Sequence, residues 1–185
     1  MFAPDATGTV VAVHRTPTHE FSKSTRPTIE LIAGVGVADD AHAGATVRHR
    51  SRVAKDPDQP NLRQVHLVMS ELLDEVNAAG HTVVPGQLGE NVTTSGIDLI
   101  GLPVGAILRL GPTALVAITG LRNPCPQIKS VGEGVLKMMF VEDDSGRKVG
   151  RTGVMGVVVA GGTVQPDDTI DVRCPAGAFT ALERI

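Results

Sequence analysis

The stretch "GAILRLGPTALVAITG", residues 105–120, is the clearest guide to the fold. It contains two short runs of apolar and β-branched residues, which are typical of strands. Between the runs lies Gly111-Pro112, a pair that favours a turn. We therefore predict two neighbouring strands joined as a hairpin.

Short segments of the same kind occur on both sides of this hairpin. Further strands are predicted at "TGTVVAVHRT" (7–16), "TIELIAGVGV" (28–37), "RQVHLVM" (63–69), "TGVMGVVVAGGTV" (152–164) and "DTIDVRC" (168–174). Helices are predicted at "SELLDEVNAAG" (70–80), with Ser70 as its N-cap and Gly80 at its end, and at "SVGEGVLKMMF" (130–140). This pattern favours a mainly β protein, a single closed or nearly closed barrel with a few short helices. A doubly wound α/β fold would need regular helices between the strands.

Composition narrows the class of protein. We expect the 185 residues to form one domain, 1–185, with its core over about 8–173. A net charge of -3, no Trp or Tyr and only four Phe argue against nucleic-acid binding, which needs cations and stacking rings. No apolar run approaches the ~20 residues of a membrane span. Two cysteines and the lack of a recognisable signal peptide indicate a cytoplasmic protein.

The segment "LRNPCPQI", residues 121–128, holds a cysteine between two prolines. Pro126 disfavours the helical region for Cys125, so the thiol is expected on a stiff, extended segment. Arg122 lies close in sequence, and a nearby cation favours the thiolate form. A preorganised thiolate suits a metal ligand or a nucleophile. The alternative is a buried structural cysteine in a turn.

The segment "PGQLGENVTTSG", residues 85–96, carries a second set of candidates. Glu90, Asn91, Thr93 and Thr94 lie between glycines, which allow a ligand to approach the backbone. The alternative is an ordinary strand between two turns.

A third set lies in and after the long polar segment 39–63. "DDAHAG" contains Asp40 and His42 and leads into the basic run "VRHRSRVAK", residues 47–55. A basic loop can close over an anionic ligand, and the alternative is a solvated surface loop. Arg63 and His66, in "RQVHL", are assigned to the same rim, with His66 facing away from its apolar neighbours.

Four of these segments together resemble a known family. "DDAHAG", "RQVHL", "PGQLGENVTTSGIDL" and "GLRNPCPQI", in this order, resemble the MOSC family, named after the C-terminal domain of molybdenum cofactor sulfurases. The similarity runs roughly from "TVVAVHRT" to "DTIDV" and is greatest to bacterial stand-alone MOSC proteins. It implies a β-barrel that binds the molybdenum cofactor, a pterin dithiolene bearing a phosphate. Some members reduce N-hydroxylated compounds, whereas the sulfurase domains are linked to sulfur handling.

The resemblance also implies roles for the candidate residues. Cys125 matches the family cysteine that ligates molybdenum, and Asp40, His42 and His66 are interpreted as suppliers of protons. The cofactor-binding residues are then Arg122, Asn123, Glu90, Asn91, Thr93, Thr94 and Arg63.

The domains and the cysteines of the sequence limit the partners that we expect of such an enzyme. The chain shows neither the aminotransferase-like domain nor the electron-transfer domain of some members, so pyridoxal phosphate is not expected. Two cysteines cannot hold a four-cysteine iron–sulfur cluster. A reductase of this kind would act on a small molecule and take electrons from a separate protein. The oligomeric state stays open, with a homodimer as one option.

Two other functions stay open at this point. Cys125 could hold the cofactor in transit, or carry a persulfide, without turnover. The third hypothesis is a metal-dependent hydrolase built on Asp40, His42, His49 and His66, although their spacing matches no helical zinc motif.

Overall fold

The computed structural model describes residues 5–142 and 146–185; residues 1–4 and 143–145 of the predicted domain lie outside this part. The strands are β1 (Ala6–Arg15), β2 (Ser24–Arg26), β3 (Ile29–Ile32), β4 (Gly36–Val37), β5 (Val65–Met69), β6 (Val92–Ser95), β7 (Ile107–Leu110), β8 (Ala114–Leu121), β9 (Phe140–Glu142), β10 (Lys148–Gly150), β11 (Val154–Ala160), β12 (Gly162–Val164) and β13 (Thr169–Arg173). The helices are α1 (Arg50–Val53), α2 (Ser70–Ala78) and α3 (Val135–Met138), and a 3₁₀ helix, η1, spans Pro126–Ser130.

Seven strands close into a barrel in the order β1, β13, β7, β8, β11, β5, β6 and back to β1. Neighbours are antiparallel except β5 and β6, which run parallel. β1 can close the barrel because its first half pairs with β13 and its second half pairs with β6. The register shift between Val10 and Ala12 marks the change of partner and bends the strand. The predicted mainly β barrel with a few short helices is confirmed.

The barrel interior is a continuous apolar core. Along β8, buried and half-buried residues alternate from Ala114 to Gly120, as expected when one face of a strand lines the core. Fully burying such a side chain stabilises the fold by roughly 1.5–3 kcal/mol. A second, smaller cluster packs α2 against η1 and α3, and its buried members include Leu73, Ile128 and Val135. This second cluster anchors η1, which directly follows Cys125.

Several predicted segments differ in detail. Residues 28–37 form the hairpin β3–β4 rather than one strand, because Gly34 adopts a φ of +71° that permits a tight turn. Residues 152–164 likewise contain two strands, β11 and β12. Ser70 is the first residue of helix α2 rather than its N-cap; Met69 occupies that position and makes no side-chain capping hydrogen bond. The hairpin β9–β10 and helix α1 were not predicted. None of the helices in the described part of the chain is long and apolar enough to cross a membrane.

Candidate functional site

The candidate segments adjoin five neighbouring strands of the barrel. A row of paired residues crosses these strands, from Leu121 through Val154, Leu67 and Val92 to Val13. Arg122 follows Leu121 on one side of this row, whereas His66, Asn91 and His14 lie on its other side. Arg122, His66 and Asn91 nevertheless line one space, and we call its border the rim.

This rim surrounds a cavity of about 390 Å³. Seven of the predicted site residues line it: Cys125, Arg122, Asn123, His42, His66, Asn91 and Arg63. They come from segments far apart in the sequence, so the barrel is what assembles them. Asp40, Glu90, Thr93 and Thr94 do not belong to its lining.

Cys125 lies at the cavity wall in the extended conformation predicted from Pro126, with φ -104° and ψ 157°. Its thiol is half-buried and makes no disulfide. Arg122 Nη2 donates to Cys125 Sγ at 3.8 Å, and Gln127 Oε1 lies 3.7 Å from the same sulfur. The thiol is therefore open to the cavity and faces a cation, as a metal-binding or nucleophilic cysteine requires.

Arg122 is held in place by its backbone and by its packing. Its amide donates to Gly153 at 3.0 Å, and its carbonyl accepts from the Thr152 hydroxyl at 3.1 Å. The guanidinium lies 5.8 Å from the centre of the Phe21 ring, within the range of a cation–π contact. Burial lowers the pKa of Arg122, while Cys125 and Glu90 raise it. A guanidinium nevertheless stays protonated at neutral pH, so a positive charge persists beside the thiol.

Hydrogen bonds of Asn91 and His66 connect β1, β5 and the residue Thr152, which precedes β11. The Asn91 side chain accepts from the His66 amide at 3.2 Å and donates to the His14 carbonyl at 3.2 Å. His66 Nε2 donates to the Thr152 carbonyl at 2.7 Å, which fixes its ring. Burial and the nearby Arg122 lower the pKa of His66 well below its ordinary value, so the ring is neutral at physiological pH.

Asp40 lies behind the wall and organises the residues in front of it. Its carboxylate accepts from Lys23 Nζ at 2.7 Å and from the side-chain Nδ2 of Asn91 at 3.2 Å. The His42 amide donates to it at 3.0 Å, and His42 Nδ1 lies 3.3 Å away. Burial alone would raise the pKa of Asp40, but the bonds from His42 and Lys23 outweigh it and hold the pKa far below its ordinary value. A carboxylate ionised in this way has no proton to give at neutral pH, so it positions Lys23 and His42.

Three histidines stack along the cavity. The ring centroids of His19 and His42 are 5.1 Å apart, and those of His42 and His49 are 4.4 Å apart. Burial, helped by neighbouring cations, lowers the pKa of His49 to about 2, and burial also lowers that of His42 against the opposing effect of Asp40. Among the described residues, no group of three or more His, Cys, Asp or Glu side chains could hold a metal ion. The arrangement predicted for a metal-dependent hydrolase is therefore absent from them.

Glu90, Thr93 and Thr94 support the site from inside the barrel wall. Glu90 is fully buried, and its Oε1 accepts from the Gly86 amide at 2.6 Å and from the Thr93 hydroxyl at 3.1 Å. Burial raises the pKa of Glu90. The Thr94 hydroxyl is directed to the Val68 carbonyl at 3.5 Å. Glu90, Thr93 and Thr94 thus hold the backbone in and before β6. Of the segment 85–96, which we predicted to contact a ligand, only Gly89 and Asn91 line the cavity.

Two buried polar atoms of residues that line the cavity have no hydrogen-bond partner among the described residues: Arg63 Nε and His49 Nδ1. Unpartnered buried polar atoms are costly, and a polar ligand would satisfy them. The polar lining, the half-buried thiol and these two atoms fit a polar cofactor that brings a soft metal.

Sequence reasoning missed several lining residues, chiefly Lys23, His19 and Phe21. All three belong to the connection between β1 and β2, which carries no motif. Lys23 becomes part of the site because its amide bonds Gly86 at 2.8 Å and its ammonium reaches Asp40. No local pattern in the sequence predicts either contact.

Comparison with known proteins agrees with this architecture. The family model of the MOSC domain matches residues 40–171. The fold resembles the YuaD protein of Bacillus subtilis, with a TM-score of 0.74, 23% identity and coverage of 91% of this chain and 97% of that one. It also resembles YiiM from Escherichia coli, with a TM-score of 0.58, 18% identity and coverage of 93% and 73%. YiiM from Geobacillus stearothermophilus gives a TM-score of 0.60 and 15% identity over 94% and 77%. The sequence matches no curated protein.

Proposed function

This chain belongs to the MOSC domain family, which is associated with molybdenum cofactor binding, and we propose that it is a molybdenum-dependent reductase of N-hydroxylated compounds. In this proposal Cys125 is the thiolate ligand to molybdenum. The substrate is a small molecule that enters the cavity at the barrel rim, and a separate protein supplies the electrons.

The observation that carries the proposal is the position of the Cys125 thiol. It is half-buried at the wall of a polar cavity, 3.8 Å from the guanidinium of Arg122. A soft thiolate is a suitable ligand for a metal that is already bound by sulfur. Arg63 and His49, which carry the two unpartnered nitrogen atoms, line the same cavity, and their side chains would bind polar groups of the cofactor.

The bound cofactor would supply two-electron redox chemistry and an acceptor for the substrate oxygen. Arg122 would hold its positive charge beside the ligating sulfur, since its Nη2 lies 3.8 Å from Cys125 Sγ. Asn91, held by His66 and Asp40, presents a fixed amide to the cavity. His42 is the proton carrier in this scheme, since it lines the cavity and Asp40 orients its ring. Removing an N-hydroxyl group consumes protons and releases water, so such a carrier is needed.

The first experiment measures metal and absorbance together. The protein and its Cys125→Ser variant would be purified without air from a host that makes the cofactor. The chain contains no Trp or Tyr, so a bound pterin would dominate the near-ultraviolet spectrum. We expect near-stoichiometric molybdenum in the wild type and its loss in Cys125→Ser. Cys174→Ser is the matched control, because Cys174 is exposed and lies outside the cavity.

A second measurement separates enzyme from carrier. Loaded wild-type protein should reduce an N-hydroxylated amidine with a reduced dye as donor, and Cys125→Ser should not. Bound molybdenum without turnover would support the carrier function instead. No molybdenum in any of the proteins would contradict both cofactor-based functions and lead to a test of Cys125 for persulfide.

A further inference from the structure

A second depression, which we call the basic groove, adjoins the cavity. It has a volume of about 360 Å³ and is lined by Arg52, Lys55, Arg63, Asn123, Arg184 and Ile185. Arg63 and Asn123 line both the groove and the cavity, so the two spaces share a wall. The proposed function above leaves Arg52, Lys55 and Arg184 unused.

Two distant segments build the groove. Arg52 and Lys55 come from the polar segment 39–63, which is tied down by the bridge between Thr46 and Pro60. Arg184 comes from the last residues of the chain, which run beside the end of β8. There the Leu121 amide donates to the Glu183 carbonyl at 2.8 Å.

Gly120 makes this close approach possible. A Cβ at that position would lie 2.6 Å from the Glu183 carbonyl oxygen, so a larger residue would push the terminal segment away. The placement of Arg184 is therefore part of the fold. Its Nη1 also donates to Asn123 Oδ1 at 3.3 Å, which directs it towards the shared wall.

The cations of the groove form no ion pair within the described part of the chain. No carboxylate there lies within 4.0 Å of Arg52, Lys55, Arg63 or Arg184. Burial, followed by the nearby Arg52, Arg122 and Arg184, lowers the pKa of Arg63 to about 10. Like charges gathered in this way repel one another, and a bound anion would relieve the repulsion. The chain as a whole is acidic, so this concentration of cations is local.

We propose that the basic groove binds an oxyanion, carboxylate or phosphate, carried by the substrate whose other end reaches the cavity at Cys125. The substrate class is then an anionic N-hydroxylated compound. This assignment to the substrate rests on the proposed function, whereas the anion site itself does not. The same oxyanion chemistry could come from the phosphate of the cofactor, and the experiment distinguishes the two sources.

The first arm measures the binding of inorganic phosphate by isothermal titration calorimetry, with cofactor-free and cofactor-loaded protein. Charge-assisted hydrogen bonds justify an expected loss of about tenfold in affinity for Arg184→Gln and for Arg52→Gln. Arg26→Gln is the matched control, since Arg26 is an exposed cation on β2 that lines none of the cavities described above. Equal affinity in the wild type and in both groove variants would overturn the anion site.

Comparing phosphate binding by the cofactor-free and the cofactor-loaded protein identifies the source of the anion. If the groove serves the substrate, phosphate binds the loaded protein about as well as the cofactor-free protein. If loading abolishes phosphate binding, the groove holds the cofactor phosphate and the substrate assignment is wrong. If no cofactor binds at all, the proposed function fails, while the titration of the cofactor-free protein still decides the anion site.

The second arm compares two substrates with the loaded protein. They are an N-hydroxylated aromatic amidine and the same compound bearing a carboxylate on its ring. We expect kcat/KM to be higher for the carboxylate, and the ratio of the two values to fall about tenfold in Arg184→Gln. The ratio should be unchanged in Arg26→Gln. A ratio near one in the wild type, or one that Arg184→Gln does not change, would overturn the assignment.

Discussion

At the scale of single residues, Asp39 and Asp40 show how strongly burial decides the importance of a carboxylate. The Asp39 side chain is 75% exposed and bonds Arg15 at 2.8 Å on the surface. The Asp40 side chain is 1% exposed and neutralises Lys23, which is itself 3% exposed. Adjacent residues of the same type thus perform different tasks, one on the surface and one behind the cavity wall.

Replacing Asp40 should therefore be costly. Asp40→Asn leaves the buried Lys23 ammonium without its counter-ion, and the free energy of unfolding should fall by roughly 3–5 kcal/mol. Asp39→Asn is the control and should cost no more than about 1 kcal/mol, because solvent screens surface pairs. Asn also tolerates the positive φ of 56° at position 39. Urea denaturation followed by circular dichroism measures both, and equal losses would show that the buried pair has no special role.

His14 makes stability depend on pH. Its ring is buried between the hydroxyls of Thr25 and Thr93, each 3.1 Å away, and burial followed by Lys23 lowers its pKa from 6.5 to about 4. In the unfolded chain the ring takes up a proton at about pH 6.5. Between pH 6.5 and 4 the unfolded state therefore binds more protons, so stability falls as the pH falls through this window.

The His14 contribution should reach about 3 kcal/mol at pH 4. His14→Gln should flatten the plot of unfolding free energy against pH in this window, whatever it does to stability at pH 7. His81→Gln, near the start of the loop after α2, is the control for replacing a half-buried histidine elsewhere in the chain. An unchanged slope in His14→Gln would mean that other buried histidines account for the acid sensitivity.

The site could be predicted from the sequence where a residue constrains its own neighbours. Pro126 is enough to predict the extended backbone of Cys125, and Arg122 is near the thiol because it is near in sequence. Lys23 could not be predicted, because its role depends on Asp40, with which it pairs only after the barrel closes. Likewise, the burial of Glu90 behind the wall follows from the position of β6 in the sheet.

At the scale of elements, Gly86 and Gly89 of the segment 85–96 allow another part of the chain to approach their backbone closely. A Cβ on Gly86 would lie 2.5 Å from the Lys23 carbonyl oxygen, and one on Gly89 would lie 2.5 Å from that of Phe21. The connection between β1 and β2 can therefore lie directly on this segment, which brings Lys23 and Phe21 to the cavity.

Gly86→Ala should test this close approach. Gly80 is the matched control, because it has a φ of +93° against +90° for Gly86, but a Cβ there would meet nothing within 4 Å. Both substitutions pay for the left-handed backbone, about 1–2 kcal/mol. Gly86→Ala should cost about 1–3 kcal/mol more, because the segment carrying Lys23 must move. Urea denaturation followed by circular dichroism measures the two losses of unfolding free energy. Equal losses would show that the segment carrying Lys23 does not have to move.

Secondary-structure elements could be predicted where the local sequence determines them. They could not be predicted where pairing with another strand determines them. The hairpin β7–β8 follows from its turn residues and its apolar alternation. Residues 28–37 show one continuous apolar pattern, yet the chain turns at Gly34 because β4 pairs back onto β3. The hairpin β9–β10 is exposed and weakly apolar, so its strands leave little periodicity in the sequence.

At the scale of the whole molecule, the ends of the sequence close the barrel. β1 and β13 pair from Ala6 with Val172 to Thr9 with Thr169. This pairing joins residues more than 150 positions apart, so it forms only when the intervening strands are in place. The rim that carries Cys125, His66 and Asn91 depends on the same closure, since its residues belong to four different strands or their ends.

Ile170 tests whether this closure is cooperative. It is fully buried on β13, where it pairs with Gly8 of β1 on one side and Leu110 of β7 on the other. Ile170→Ala should lower the free energy of unfolding by about 2–5 kcal/mol, since it leaves a cavity in the core. Val159→Ala, at a residue of β11 that is 54% exposed, should change it by no more than about 0.5 kcal/mol.

Hydrogen exchange then shows how far the effect spreads. If the barrel unfolds as one unit, Ile170→Ala should accelerate exchange of the amides of β5 and β8 by the same free energy as those of β1 and β13. The strands that carry the rim would then be stabilised by a contact on a different strand. Acceleration confined to β1 and β13 would instead mean that the pairing between these two strands opens independently of the rest of the barrel. The cavity at Cys125 would then persist while the ends of the barrel separate.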